Sequence, residues 1–490
     1  MRIMEPKFQS NKLSRTLASC LLVAVFGALA GWATTQGLLI KSLFIGMAAL
    51  LALPLFSQNR PITIVSLQKG LLYLVIIAGF IGPALLAIGV GPIHLFPYRI
   101  LLLVLWMVFA ISVLFNHGRV SVSHMKVKSY LQFLALWLIY AVLSLAWAMS
   151  KADAIRQFIF LFMAASIIFF VIYYFSNGKD LKRFYYLWLG VFGGLLLLGI
   201  WEHFAGQHLP VSGSYAETRA RFMFLPTAVF LNTNDYATFL ALSIPFALGV
   251  LRYARNRLVR FIGLGAAAAA FYLIIVAGSR GNMLAVLLEV AFLMLFLTNL
   301  RQRAKVAVAA TVCLAMAVFL LPGPVQELSS EVTGELSSIS TQAELGTGSV
   351  PVRANLVRNG LFFLASTAGF GVGAGNAEYW MANSAIFETR GVLNPHNWWL
   401  EILINYGIFV FVGYILFYLG LVLTMWRVHR RTKNRGEKMI CEALLVALVG
   451  FFLASVSSSS IMAFKPQWLL FAFALAFLNY QRRGRLEGVA

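Results

Sequence analysis

Charge is what this 490-residue sequence lacks. Only 11% of its residues are Asp, Glu, Lys or Arg, against about 25% in a soluble domain. With 60% hydrophobic residues and a mean hydropathy of +0.83, water is not its main solvent. Acidic residues are the scarcer sign, 17 against 39 Lys and Arg, and no acidic metal cluster or H-E-x-x-H run appears. Cysteine is nearly absent. Cys20, Cys313 and Cys441 all fall within apolar runs, so no disulfide framework and no metal spacing is expected. No cofactor is called for.

What is present is a succession of long apolar runs. A spanning helix needs roughly 20 apolar residues to cross a core of about 30 Å. The runs at 16–33, 37–56, 70–90, 98–115, 130–148, 156–175, 183–201, 227–251, 258–277, 281–299, 304–321, 399–426, 440–460 and 467–481 predict about fourteen helices. The expected fold class is all-α, a polytopic membrane protein. Lys7, Lys12 and Arg15 ahead of the first run, with Ala28-Leu29-Ala30 inside it, also fit a signal peptide. The many later runs favour a retained first helix.

The net charge of +22 does not point to nucleic acid, because the cations sit in short clusters between apolar runs. Lys and Arg in excess mark cytoplasmic connections. With both termini inside, the alternate connections hold Arg60 and Lys69; Arg119, Lys126 and Lys128; Lys179, Lys182 and Arg183; Arg252 to Arg260; Arg301 to Lys305; Arg427 to Lys438; and Arg482 to Arg485. That places residues 202–226 and 322–398 on the outer side. The chain divides into N-terminal spans 1–201, a core 202–321 with Arg-bearing outer segments, an outer loop 322–398, and C-terminal spans with a basic tail 399–490.

Within the loop, Pro322 to Ser349 is rich in Ser, Thr, Gly and Glu and reads as pliable. From Val352, the spacing of Val352, Leu356 and Phe363, with Val357, Leu361 and Leu364, predicts an amphipathic helix at the membrane surface. Gly369 to Asn376 imitates a nucleotide fingerprint without its strand-turn-helix context and reads as a turn. Trp398 and Trp399 suit an aromatic belt at headgroup level.

Candidate chemistry lies on this side. His396 stands where the loop re-enters the membrane, and an imidazole can exchange protons near neutral pH; the plainer reading is a cap or loop hydrogen bond. Arg280, between two runs in Gly278-Ser279-Arg280-Gly281, needs an anionic partner or a route to water, since an uncompensated cation at depth costs several kcal/mol. A phosphate suits a guanidinium. Arg219, Arg221, Arg353 and Arg358 are the other outer cations. Arg353 and Arg358 lie five residues apart, about 140° around a helix, so one of them, not both, would face a substrate. Asn397, Asn232, Asn234 and Asp235 supply polar groups nearby. Glu289 falls mid-span and reads as interhelical packing.

These residues resemble the O-antigen ligase and polymerase superfamily of bacterial membrane glycosyltransferases. The resemblance rests on His396-Asn397 with Gly407, within HNWWLEILINYGIFV. It extends to Ser279-Arg280-Gly281, to Arg353 followed by Gly371-Val372-Gly373-Ala374-Gly375-Asn376, and to Asn232 and Asn234. It covers roughly 200 to 425. Two positions depart from the pattern: Val410 stands where a second Gly is usual, and Leu225 where an Arg is usual, with Arg221 one helical turn earlier. The general look is nearest to proteins of teichuronic-acid biosynthesis in Gram-positive bacteria.

The resemblance implies a metal-independent transferase in the cytoplasmic membrane that polymerises or ligates undecaprenyl-diphosphate-linked glycan units on the outer face. The donor would be such a glycan, the acceptor a glycan or lipid, with membrane lipids around them. His396 would be the general base. Arg280, with Arg221 or Arg353, would hold the diphosphate, and Arg219, Arg358, Asn397, Asn234 and Asp235 would complete the substrate site. A flippase or transporter for lipid-linked sugars, and a scaffold for a polysaccharide assembly, are the competing readings.

Overall fold

In so apolar a chain, polar caps decide where helices begin. Thr63, Ser150, Asn177, Asn232, Asn256, Asn397 and Asn434 each precede a helix and accept a hydrogen bond from its first-turn amides, which satisfies donors that have no intrahelical partner. The computed structural model describes residues 63–83, 88–90, 93–115, 122–215, 217–301, 303, 349–456, 458 and 461–487. The predicted runs 16–33, 37–56 and 304–321, and the pliable stretch before Ser349, lie outside the described residues.

The helices are α1 (Ile64–Ile81), α2 (Pro97–Phe115), α3 (Lys128–Leu143), α4 (Lys151–Tyr174), α5 (Gly178–Ala205), α6 (Ala220–Met223), α7 (Thr233–Tyr253), α8 (Arg257–Val276), α9 (Arg280–Phe292), α10 (Ser349–Ser366), α11 (Ala377–Ser384), α12 (Trp398–Arg431), α13 (Arg435–Ala454) and α14 (Lys465–Glu487). Nine of the described helices are long and apolar enough to cross a membrane: α1 to α5, α7, α8, α9 with the turn that extends it to Leu297, and α12. Those nine, rather than fourteen, are what the described residues support. α13 and α14 fall on predicted runs but carry charges, Arg435, Glu437, Lys438 and Glu442 in the one and Arg482 and Arg483 in the other.

Three predicted boundaries move for physical reasons. The run 70–90 stops as helix at Gly82, whose φ of 62° is left-handed. Beyond it Ile88–Val90 (β1) pairs antiparallel with Ile93–Leu95 (β2), so the described residues are helical apart from one hairpin of two three-residue strands. The run 227–251 becomes helical only at Thr233, because the Thr227 and Ala228 N–H groups both donate to the buried Glu202 carboxylate and Ala228 turns the chain at φ 48°. The run 399–426 is broken inside α12 at Gly407, with φ 73° and ψ −174°.

The core centres on α14 and α7. From Trp468 to Leu478 no residue is more than 2% exposed, so α14 is enclosed on all sides, as suits a helix apolar around its whole circumference. α3 and α8 lie outside, showing Leu136, Ile139, Phe261 and Ile262 where lipid would be. Trp398 is not at an interface. It is fully buried against Trp137, Tyr414 and Trp468, and its indole N–H donates to the Tyr414 hydroxyl at 2.8 Å.

Glu289 is fully buried and packs on α13 where Gly450 leaves room for its carboxyl; a Cβ at 450 would collide with it. Gly450→Ala is expected to lower stability by about 1–3 kcal/mol through overpacking. Thermal unfolding of the detergent-solubilised protein measures it. Glu289→Ala in the same chain should restore most of the loss.

The two ends of the bundle differ. At one end, basic connections are tied together: Lys69 to Asp180 at 2.9 Å, Arg252 to Glu442 at 2.6 Å, Arg435 to the Tyr253 carbonyl at 2.9 Å, and Arg482 to the Lys126 carbonyl at 2.8 Å. The other end gathers the starts of α2, α4, α7, α9, α12 and α14 beneath α10 and α11.

Candidate active site

The break in α12 is where the site is built. A helix interrupted at Gly407 leaves carbonyls unbonded, and the glycine-rich turn after α10 uses them. Val372 N–H donates to the Ile404 carbonyl at 2.8 Å, Gly373 N–H to the Asn405 carbonyl at 3.1 Å, and Ile408 N–H to the Gly369 carbonyl at 2.9 Å. Backbones approach so closely that a Cβ at Gly371 or Gly407 would strike the opposing chain. Both sit at positive φ, where glycine is the natural residue. The turn that imitates a nucleotide fingerprint is therefore a clasp. Through Ser150, Trp147 and Tyr140, which bond Asn376, Gly371 and Phe370, it ties α3 and α4 to the start of α12.

α10 lies against the same place. Leu356 and Phe363 pack inward on Leu400 and Ile404, while Val357, Leu361 and Phe362 face outward, which confirms the expected helix. It presents Arg353 and Arg358 differently. Arg358 is turned onto the Phe387 ring at 5.7 Å and toward the Asn355 side chain at 3.5 Å. Arg353 lies within the field of Arg280, and this repulsion, after burial of its stem, lowers its pKa.

His396 is half-buried, with φ 48°, just ahead of α12. Such a conformation is uncommon for a residue with a side chain. It is held by the Asn394 carboxamide, which accepts the His396 N–H at 2.8 Å and itself donates to Glu378 at 2.7 Å. Burial first, and Arg353 second, push the imidazole below its usual range, while Asp235 and Glu378 pull the other way. The consequence is a base that stays neutral to lower pH. Arg353→Gln should move the acid limb of the pH–rate profile up, because a cation that disfavours imidazolium is gone. Asp235→Asn should move it down. A profile unmoved by both changes would sink this assignment.

The remaining predicted residues make bonds within the protein. Asn397 caps α12, accepting from Trp399 and Leu400 N–H. Asn234 accepts the Ser279 hydroxyl at 2.8 Å, and Asn282 bonds Ser279 and Thr238; this cluster fixes the turn that carries Arg280. Asp235 accepts from Asn232 at 2.9 Å and from the Ser458 hydroxyl. Arg219 pairs with Glu217 at 2.6 Å and covers Phe222 at 4.7 Å, and the pair holds the Glu217 carboxyl down at about 2. The Arg221 side chain lies outside the described residues. Asn282, Ser458 and Glu378 were not singled out by sequence, because an isolated amide, hydroxyl or carboxylate has no distinctive spacing. Among the described residues no three His, Cys, Asp or Glu side chains converge as a metal site would require.

The comparisons fit this geometry. The family model for O-antigen ligase matches residues 265–415, which span the Arg280 turn, α10, the clasp and His396. The chain is 30% identical over 442 residues to the teichuronic acid biosynthesis protein TuaE of Bacillus subtilis (strain 168), covering 89% of this chain and 90% of that one. The chain belongs to the O-antigen ligase family.

Proposed function

We propose that this protein is a membrane glycosyltransferase that joins glycan units carried on undecaprenyl diphosphate, at the outer face of the bacterial cytoplasmic membrane. One observation carries the reading: a half-buried imidazole within the field of Arg353, itself beside Arg280, at the bundle end opposite the basic connections. The inside-positive bias assigns the basic end to the cytoplasm, which supports an outward-facing site. The relative's part in teichuronic acid biosynthesis favours polymerisation of repeat units over ligation to another lipid.

In the proposed step, an acceptor hydroxyl attacks the anomeric carbon of the donor sugar. The new C–O bond forms as the bond to the diphosphate breaks, and the diphosphate departs with the electron pair. His396 takes the hydroxyl proton. Attack from the face opposite the leaving group inverts the anomeric centre. Arg280 and Arg353 meet the charge that develops on the diphosphate, where fixed donors contribute most. Positive charge is what that leaving group needs, so this route calls for no metal.

Reconstitution into vesicles with lipid-linked repeat units tests the reading. New glycosidic bonds, with product on the face away from the basic end, are the expected result. Movement of the lipid-linked sugar across the bilayer without any new bond would make the protein a transporter instead.

A further inference from the structure

At the basic end of the bundle, the starts of α5 and α13 and the end of α14 leave a cavity of about 610 Å³ between them. The inside-positive bias assigns this end to the cytoplasm, opposite the end that holds His396. The cavity has two kinds of wall. Leu181, Ile440 and Phe477 line it and are at most 1% exposed, so its inner wall is apolar. Lys179, Lys182 and Asn434 also line it and are exposed, which puts the positive charge at the mouth.

These donors are not answered within the protein. Lys69, Arg252, Arg435 and Arg482, at the same end, each meet an acceptor. The Lys179 and Lys182 ammonium groups meet none among the described residues. Nor does Asn434 Nδ2, although the oxygen of that carboxamide accepts from the Gly436 and Glu437 N–H groups. Two carboxylates lie close by, and both are engaged elsewhere. Asp180 is held by Lys69 and by the Asn177 carboxamide at 2.8 Å. Glu437 accepts from the Tyr480 hydroxyl at 2.9 Å and from Gln481 at 2.7 Å. Lys182 reaches across from α5 to α13: a Cβ on Gly436 would stand 3.6 Å from its Nζ. Its charge therefore sits at the seam between two helices.

Unanswered N–H donors above an apolar wall suit a ligand with an anionic head and an apolar body. Ammonium and amide groups bond phosphate oxygens strongly. Basic pockets beside spanning helices on the cytoplasmic side take lipid headgroups of this kind. Lys179 and Lys182 lie within five residues of the start of α5, a helix long and apolar enough to span. The mouth thus opens where α5 leaves the membrane, level with the lipid phosphates. The volume also falls within the roughly 300–1,000 Å³ of small-molecule sites.

We propose that this cavity binds the headgroup phosphate of an anionic phospholipid from the cytoplasmic leaflet. Lys179, Lys182 and Asn434 hold the phosphate, and Leu181, Ile440 and Phe477 meet the glycerol and the first methylenes. The site does not depend on the glycosyltransferase reading. Inorganic phosphate shares the anionic chemistry but has no apolar body, and the two sources separate experimentally.

Native mass spectrometry of the purified, delipidated full chain, titrated with phosphatidylglycerol, should show one tightly retained lipid. Lys179→Gln with Lys182→Gln should weaken its retention at least about tenfold, the loss of one charge-assisted contact. Lys179→Arg with Lys182→Arg keeps both charges, so it should retain the lipid and exclude misfolding as the cause. Arg430→Gln with Lys433→Gln removes as much charge from the same end outside the cavity, and should change retention less than about twofold. Equal losses from the two Gln pairs would mean general charge attraction and overturn the site. Gly436→Glu brings a carboxylate beside Lys182 and should displace the lipid without lowering the unfolding temperature. Retention of phosphatidylglycerol by Gly436→Glu, or by the Lys179 and Lys182 Gln pair, overturns the proposal. Phosphatidylglycerol should raise the unfolding temperature of the unaltered protein, and inorganic phosphate should not. An equal rise with inorganic phosphate assigns the cavity to a soluble anion and overturns the lipid.

Discussion

Replacing His396 by Asn should lower glycosyl transfer by about 10²–10⁴-fold, the usual contribution of a positioned general base, while the protein unfolds at the same temperature and still retains donor. Asn is the informative substitution because His396 occupies left-handed backbone at φ 48°, which Asn tolerates better than most residues. The change then removes the titrating nitrogen without straining the start of α12. A reconstituted polymerisation assay, scored for initial rate, measures the effect. Full-rate transfer by His396→Asn would leave the imidazole as a loop anchor. Residual rate should no longer follow the acid limb, since the group that titrates there is gone.

The second large effect is expected from Arg280 and Arg353 together. Each guanidinium should contribute about 1.5–3 kcal/mol through charge-assisted bonds to a departing diphosphate, so each Gln replacement alone should cost about 10- to 150-fold. Arg353 lies in the field of Arg280, so an anion held between the two guanidiniums would draw on both. Removing one therefore weakens the hold of the other on the substrate, and the paired replacement should fall short of the product of the single losses. Rates with donor of varied concentration would show the loss mainly in kcat, because the charge to be met grows as the bond breaks. Arg358→Gln serves as the contrast. That side chain is turned onto Phe387, and its loss should leave the rate within about twofold, as for an exposed charge.

Much of the architecture was open to a reader of the sequence. Apolar runs of spanning length located every long helix among the described residues except α10, because an unpaired backbone group in lipid forces each spanning segment into a helix. The alternation of basic connections separated two ends that the structure gathers as separate ends. The helix carrying Arg353 followed from its spacing. Nine helices among the described residues are long and apolar enough to span, against about fourteen expected over the whole chain, and three of the expected runs lie outside the described residues. The break at Gly407 and the clasp of Gly369 to Asn376 were hidden, since their bonds join backbone segments more than thirty residues apart.

Sequence alone determined the solvent of this protein, the helices it can form, and the residue types available for chemistry near His396. Those are local properties, set by hydropathy, capping and charge. Only the tertiary structure decided which cations meet. It placed Arg353 within the field of Arg280 and Arg358 on the Phe387 ring, bonded Asn234 to Ser279, and brought Arg99 and Lys465 from distant parts of the chain onto one ring. The reason is physical: electrostatic partners interact through space over several ångströms, and in a helical bundle spatial neighbours come from segments with no fixed spacing in the chain.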